Sequence, residues 1–536
     1  MCENWLVRRA GIVVLAAAGI FLFTRGADAA WYTDEHRDYR LKITVAGSQV
    51  DADLQNFPVY VNLANIPNGH GFWTNVKADG GDIVITAADG TTRCALEIVS
   101  FTDSGTSGSG ELHFKAPSLS GSGDTEFYLY YGNGSASQPV VTGTYGRNAV
   151  WSDYIGVWHF QEALTASQVD STGHGYTGVP QAGMTADDSI SGRIGRCLQY
   201  DGTTSDYVQV ATNNGLEPAV ITLSCWMYRN GAQNSWAKPV WYGNNESSPY
   251  GVYGIEFNDA SDDQIRFKAV NASTTTQFVA SSAAGAIGTA TWYHVTGTSD
   301  ATNIALYINS TLAQSTTGPG TIGRYDDVNG LTFGRKQSNT DQEFNGQIDE
   351  VRLSSVAATR AATWISTEYK NQFDPAAFYQ IGSEETLAIT AAGDADFHDG
   401  EAGVVLTGTM FDVQGINSRV YLSDNATYAA GTMVSQAVNS WSDTSIGIDI
   451  SLGALTEGLR YLYVVSQSGM VSPGFSVTIH AVPAVLDADD EVFTDGETGV
   501  TITGTDFDAQ GAGSMVYLAD SSTFATATKV AQTVTG

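Results

Sequence analysis

From Tyr39 onward, apolar and polar residues alternate with a period of two. Tyr39, Leu41, Ile43 and Val45 share one face, and Arg40, Lys42 and Thr44 share the other, the pattern of a half-buried β-strand. Further strands are predicted at Phe57–Leu63, Asp82–Thr86, Glu111–Lys115 and Glu126–Tyr131, each bounded by Gly, Asn, Asp or Pro. The Ser/Gly stretches Ser104–Gly110 and Ser118–Gly123 read as hairpin tips. Together they predict one all-β sandwich domain over residues 31–147.

Strand signals continue through residues 148–385. They fall at Ile155–Gln161, Cys197–Tyr200, Tyr207–Val210, Ile221–Tyr228, Ile255–Asn258, Gln264–Ala269, Thr291–Gly297, Ile304–Ile308 and Ile348–Leu353. So many short strands with polar turns and no helices between them predict a two-sheet jelly roll. One helix interrupts near Ala357–Asn371. Trp364, Ile365, Glu368, Tyr369 and Gln372 share one side of it, so its apolar residues are expected to pack on the sandwich.

The C-terminal part repeats. Phe397–Ser440 aligns without a gap onto Phe493–Gly536, at a period of 96 residues and with 24 of 44 positions identical. The shared core is F-x-D-G-E-x-G-V-x-x-T-G-T-x-F-D-x-Q-G, then V-Y-L-x-D. Residues 386–482 form one repeat and 483–536 a second that stops mid-domain, the expectation for a piece of a longer protein.

Composition and charge narrow the class. The 57 Asp+Glu against 25 Lys+Arg leave a formal net charge of −32, which repels nucleic acid and anionic membrane surfaces. Residues 1–30 read as a signal peptide. Arg8 and Arg9 precede an apolar run from Ala10 to Phe23, and Ala27-Asp28-Ala29 supplies an A-x-A cleavage pattern. That run is shorter than the roughly 20 residues a span needs, though an uncleaved anchor is the alternative. Cleavage would leave a secreted or cell-surface chain with no membrane span. The four cysteines are too few for a disulfide scaffold. Cys197 and Cys225 are either two buried thiols or a bridge.

Three resemblances add to this reading. Tyr39-Arg40-Leu41-Lys42-Ile43, Asn56-Phe57-Pro58-Val59, Gly81-Asp82-Ile83 and Tyr130-Tyr131-Gly132-Asn133 resemble a small β-domain of unknown function at the front of bacterial surface proteins. The stretches Trp364–Gln372 and Phe378–Gly382 look like the segment that closes the domain following it. Gly156-Val157-Trp158-His159-Phe160, Asp170-Ser171-Thr172-Gly173, Trp292-Tyr293-His294-Val295 and Asn345–Arg352 resemble a laminin-G-like, concanavalin A-like jelly roll. That fold hosts lectin-like modules and glycan hydrolases alike. The repeats resemble immunoglobulin-like TIG/IPT domains, which implies stalk or interaction units.

Candidate chemistry is sparse. Retaining glycanases of this fold carry E-x-D-x-E on one strand, so that period 2 points all three carboxylates one way; the triplet is absent. Asp349 and Glu350 are adjacent, so regular alternation puts them on opposite faces and forbids a dyad. There is no H-E-x-x-H and no G-x-S-x-G, and His159 and His294 read as structural. No catalytic residue is expected.

A structural Ca²⁺ is the one cofactor the sequence suggests, held by Asp170 and Asp349 with loop carbonyls; turn and strand roles are the alternative. For a sugar, Trp236, Trp241 and Tyr242 interleave with Asn244, Asn245 and Glu246, the mixture of flat rings and amide or carboxylate groups that carbohydrate sites use. Core packing is the alternative there. The expected function is an exported, non-enzymatic modular surface protein for adhesion or glycan binding. A glycan hydrolase of the same superfamily and an inert stalk are the competing expectations. Mass spectrometry of the secreted protein should find the mature N-terminus at Ala30 or within a residue or two of it; retention of Met1 would favour the anchor.

Overall fold

A computed structural model describes residue 32 and residues 37–532 apart from 204, 244–252, 260, 272–275, 301, 321, 323–329, 337–341, 355–358, 394–395, 468, 481–483, 489–499, 506–515 and 520–528. The signal-peptide segment lies outside the described residues. Among them, no helix is long and apolar enough to cross a membrane. The chain is all-β, in a series of antiparallel sandwiches.

The first sandwich packs a four-stranded sheet on a three-stranded one. The four-stranded sheet runs in the order Tyr379–Thr386, Tyr39–Val45, Thr125–Tyr131, Val84–Ala87; the other runs Leu54–Asn62, Gly108–Leu119, Leu96–Asp103. Leu41, Ile43, Val59, Leu112, Phe114 and Leu129 close its core. Ser104–Gly110 includes a hairpin tip, since the flanking strands pair. Ser118–Gly123 is not one: it carries the chain from one sheet to the other.

Residues 379–386, expected to end the jelly roll, belong to this first sandwich. Val45 pairs with Tyr379 and Ile43 with Ile381, which covers what would otherwise be an open edge on the first strand. Alternation predicts a strand but not the sheet it joins, so the boundary at 147/148 misses this return. The helix Ala362–Phe373 just before it also splits the expected packing. Trp364 lies on Phe57 with ring centroids 4.9 Å apart, and the Asn371 side chain accepts from Tyr60 N–H at 2.7 Å and donates to its carbonyl at 2.9 Å. On the jelly-roll side, Gln372 Oε1 accepts from Trp226 Nε1 at 2.5 Å and Tyr369 packs on the same indole. One helix therefore touches both modules.

The jelly roll pairs an eight-stranded sheet, including Asn345–Ser354 at the centre, Ile221–Arg229 and Trp292–Ser299, with a seven-stranded sheet. The latter runs Gln277–Ser281, Ser261–Val270, Tyr253–Asn258, Val240–Tyr242, Leu331–Phe333, Val208–Val210, Gly178–Pro180. Leu223, Cys225, Met227, Ile255, Phe267, Val295 and Phe333 interdigitate between them. Cys94, Cys197 and Cys225 are buried free thiols.

A four-stranded and a five-stranded sheet form the next sandwich, and its core is continuous with Tyr32, Val84, Tyr128 and Tyr130 of the first module. The second repeat copies its strand pairing with a constant offset of 96. Ala388↔Thr409 recurs as Ala484↔Thr505, and Tyr421↔Ser435 recurs as Tyr517↔Ala531. Even the register shift between Ile389 and Ala391 returns between Val485 and Asp487. The sequence repeat is thus a repeat of strand register.

Because its outer strand returns from residue 379, a fragment of residues 32–147 should lack a cooperative unfolding transition, whereas residues 32–386 should show one. Circular dichroism during thermal melting checks this.

Candidate functional site

One polar group on the jelly roll lies on the side of the seven-stranded sheet away from the core. Along Val240–Tyr242 and Tyr253–Asn258, Val240, Tyr242, Tyr253, Ile255 and Phe257 enter the core. The alternation of a strand therefore turns Trp241 and Glu256 outward. Lys238 Nζ sits 4.0 Å from the Trp241 ring centroid and Lys268 Nζ 5.3 Å from it. Gly254 pairs with Trp241, and a Cβ there would stand 2.4 Å from the indole, so only glycine admits the ring.

Glu256 is the hub. Lys238 Nζ lies 2.8 Å and Lys268 Nζ 2.9 Å from its carboxylate, and Arg266 bonds the same group. Burial alone would raise its pKa, but Lys238, Lys268 and Arg266 together hold it down to about 2. At the rim, Arg266 stacks on the half-buried Trp236 at 4.4 Å, and Trp236 itself takes a left-handed φ of 56°, uncommon for a residue other than glycine.

The residues named from sequence divide as follows. Trp236 and Trp241 join this face. Tyr242 is a core residue instead, with its hydroxyl 2.8 Å from Glu217 Oε1 and its ring stacked on Tyr253. Asn244, Asn245 and Glu246 lie outside the described residues. Asp170 is committed to its own turn, accepting from Val157 N, Thr172 N, Thr172 Oγ1 and Tyr176 N at 2.8–3.2 Å. Asp349 Oδ2 accepts from Ile194 N at 2.8 Å. No hydrogen bond joins the two aspartates, and a calcium ion drawing on Asp170 would have to displace those four donors. Lys238, Glu256, Arg266 and Lys268 went unnamed in the sequence; the i, i+2 pair Arg266/Lys268 beside a strand glutamate was the available signal.

The second polar group is buried where the first module meets the jelly roll, and a backbone irregularity builds it. Opposite Ile221–Arg229, the Asn345–Ser354 strand carries a bulge between the pairs Ser224↔Arg352 and Trp226↔Asp349, with Glu350 at φ 51°. The extra residue breaks alternation. Asp349 and Glu350 are consequently not on opposite faces as regular pleating demands. Ile348 and Val351 on either side of them both enter the core. His159 Nδ1 lies 2.5 Å from Glu350 Oε1 and 3.3 Å from Glu111 Oε1, and His113 stacks on the His159 ring at 4.9 Å. Arg352 joins Glu350 at 2.6 Å and Glu368 of the helix at 2.9 Å.

Burial, then the neighbouring Glu350, pushes Glu111 up to about 8. Burial would lower His159, yet Glu350, Glu97 and Glu111 hold it well above its ordinary value. Burial drives His113 well below it.

Residues 201–366 match the family model Laminin_G_3, described as the concanavalin A-like lectin/glucanases superfamily. The matched span contains the seven-stranded sheet face and Glu350, but not His159 or the first module. A search of curated proteins found no match. Among solved structures, domain 4 of an extracellular GH43 arabinanase from Geobacillus stearothermophilus, in complex with arabinotriose, aligns at 16% identity and TM-score 0.32. That alignment covers 41% of this chain and 98% of that one. The CBM40 of a Ruminococcus gnavus sialidase, bound to sialyllactose, aligns at 11% identity and TM-score 0.26, over 32% and 96%. A Trypanosoma rangeli sialidase aligns at 9% identity and TM-score 0.30, over 48% of this chain and 42% of that chain. At such scores, what those proteins bind or cleave is not transferred to this concanavalin A-like domain.

Glu256 gives a pH-dependent prediction. A carboxyl lowered from 4.5 to about 2 contributes stability that is complete above pH 4.5 and lost as pH falls towards 2. Glu256→Gln should therefore destabilise the jelly roll by about 3–5 kcal/mol at pH 7, and the deficit should shrink near pH 2. Urea unfolding at the two pH values measures both.

Proposed function

We propose that the protein is an exported, non-enzymatic modular surface protein that binds a carbohydrate through the outer face of the seven-stranded sheet, for adhesion. The observation that supports this reading is the stacked pair Trp236 and Arg266 at the rim of that face, 4.4 Å apart, with Arg266 held from beneath by the buried Glu256, Lys238, Lys268 and Trp241. Carbohydrate sites combine flat aromatic faces with a few fixed polar groups, and here the charged groups are fixed by one another. Trp236 and Arg266 are partly exposed, which makes the Trp236 end the approachable one. Export rests on the Arg8–Ala29 pattern alone.

Lys238, Arg266 and Lys268 all bond the Glu256 carboxylate, so the polar part of this face is held rigid before any ligand arrives. At this face a hydrolase would need a carboxyl that stays protonated to act as general acid, whereas its three cations hold Glu256 low, at about 2.

On an array of neutral and anionic glycans, the full chain should bind at least one class of member. Trp236→Ala should weaken that binding at least tenfold, a loss of about 1.4 kcal/mol or more. Its melting temperature should stay within a few degrees of the parent. Unchanged binding by the variant rejects the site, and release of reducing sugar from a bound glycan rejects the non-enzymatic reading.

A further inference from the structure

Four side chains at the junction each offer one ligand atom to a common centre. Glu111 and His113 come from the Gly108–Leu119 strand of the first module, His159 follows the jelly-roll strand Gly156–Trp158, and Glu350 is the bulge residue. Their ligand atoms all lie within 4.8 Å of one another. His113 Nε2 is 3.0 Å from Glu111 Oε1, and His159 Nδ1 is 3.3 Å from that same oxygen. Bonds of about 2.0–2.1 Å to a tetrahedral ion set ligand atoms about 3.4 Å apart, close to the two separations from Glu111 Oε1. Two imidazole nitrogens with two carboxylate oxygens suit zinc and its first-row neighbours. Calcium, which takes six to eight oxygens, is not suited.

Two further observations point the same way. All four residues are at most 4% exposed, yet Glu111 Oε2, on the same carboxylate as the oxygen nearest both histidines, has no hydrogen-bond partner, a costly condition for a buried polar atom in an apoprotein. An outer carboxylate is also at hand. Glu97 Oε2 stands 3.3 Å from His159 Nε2, the ring nitrogen pointing away from the centre, without a hydrogen bond between them, and Glu97 is itself held by Trp151 Nε1 and by Ser171 Oγ at 2.7 Å. Arg352 takes Glu350 Oε2 and leaves Oε1 to the centre. A small turn of the imidazole would give it the carboxylate support usual for a metal-bound histidine. A cleft of about 170 Å³, lined in part by Glu97, His159 and Ser171, reaches the edge of the group.

We propose that this junction binds one divalent transition-metal ion of the zinc class through Glu111, His113, His159 and Glu350. With two ligands from each module, the ion clamps the first sandwich to the jelly roll.

The test uses the full chain, stripped with a chelator and reloaded with Zn²⁺ or Co²⁺. The loaded wild type should retain one ion per chain through desalting, measured by elemental mass spectrometry. Zn²⁺ should raise Tm by at least about 5 °C, and the Co²⁺ form should show the visible absorption of a four-coordinate ion. Glu111→Gln with His113→Gln should bind Zn²⁺ more than 100-fold more weakly and lose the Tm increment. His398→Ala with His480→Ala, which removes the other close histidine pair, should change neither. A folded, loaded wild type that retains no stoichiometric ion overturns the proposal. So does equal binding by the E111Q/H113Q variant, or loss of the ion in the H398A/H480A variant. If the ligand variant fails to fold, wild-type stoichiometry and the Co²⁺ spectrum decide.

Discussion

Arg352 is held between two carboxylates with almost no access to water, and the arrangement of the modules depends on that one residue. Its guanidinium bonds Glu350 on its own strand and Glu368 on the helix Ala362–Phe373. Through Glu350 it fixes His159, and through His159 it reaches Glu111 of the first module. Burying such a pair costs much of what the attraction returns, whereas removing one partner strands a buried charge at about 3–5 kcal/mol. The network therefore adds little net stability compared with an apolar interface, but it selects one relative placement of helix, jelly roll and first sandwich. Apolar packing could slide; a forked guanidinium between two fixed carboxylates cannot.

That constraint explains why the fold was easier to read than the site. Strand existence follows from alternation, and nearly every predicted strand is present. The equivalence of the two C-terminal copies could be read directly from the 96-residue period, and that offset relates all the described second-copy pairings except Val516↔Gln532 to first-copy ones. Partner choice was not legible. The Tyr379–Thr386 strand looks like any other strand in sequence, and only the open edge of Tyr39–Val45 assigns it to the first sandwich. The helix shows the same limit: Trp364 and Tyr369 both signal packing, but not that they pack against different modules.

The site was hidden for a more specific reason. Periodicity arguments assume an unbroken pleat, and the Asn345–Ser354 strand is broken at Glu350. Nothing in Asn345-Gly346-Gln347-Ile348-Asp349-Glu350-Val351-Arg352 marks the bulge, since glutamate is not a residue that favours left-handed backbone. The strain is held by the bonds Glu350 makes once folded, to His159 and Arg352. His113 and Glu111, at i and i+2 on one strand, were the visible half of the group. Their partners lie 46 and more residues away, across a module boundary.

The charge distribution ties the two polar groups together. The chain carries a large anionic excess, so an interior cation is attracted by the whole molecule as well as by its immediate partner. The excess also means that each buried carboxylate cluster needs a compensating positive charge to persist. At the sheet face, Lys238, Arg266 and Lys268 all bond the buried Glu256 and together offset the cost of burying it. At the junction, Arg352 answers Glu350 and Glu368, His159 is held charged beside Glu350 and Glu97, and burial beside Glu350 pushes Glu111 up to about 8. The two groups meet the same need differently: one clusters cations on a single carboxylate within one sheet, and the other spreads charge along ion pairs that cross from the jelly roll to the first module.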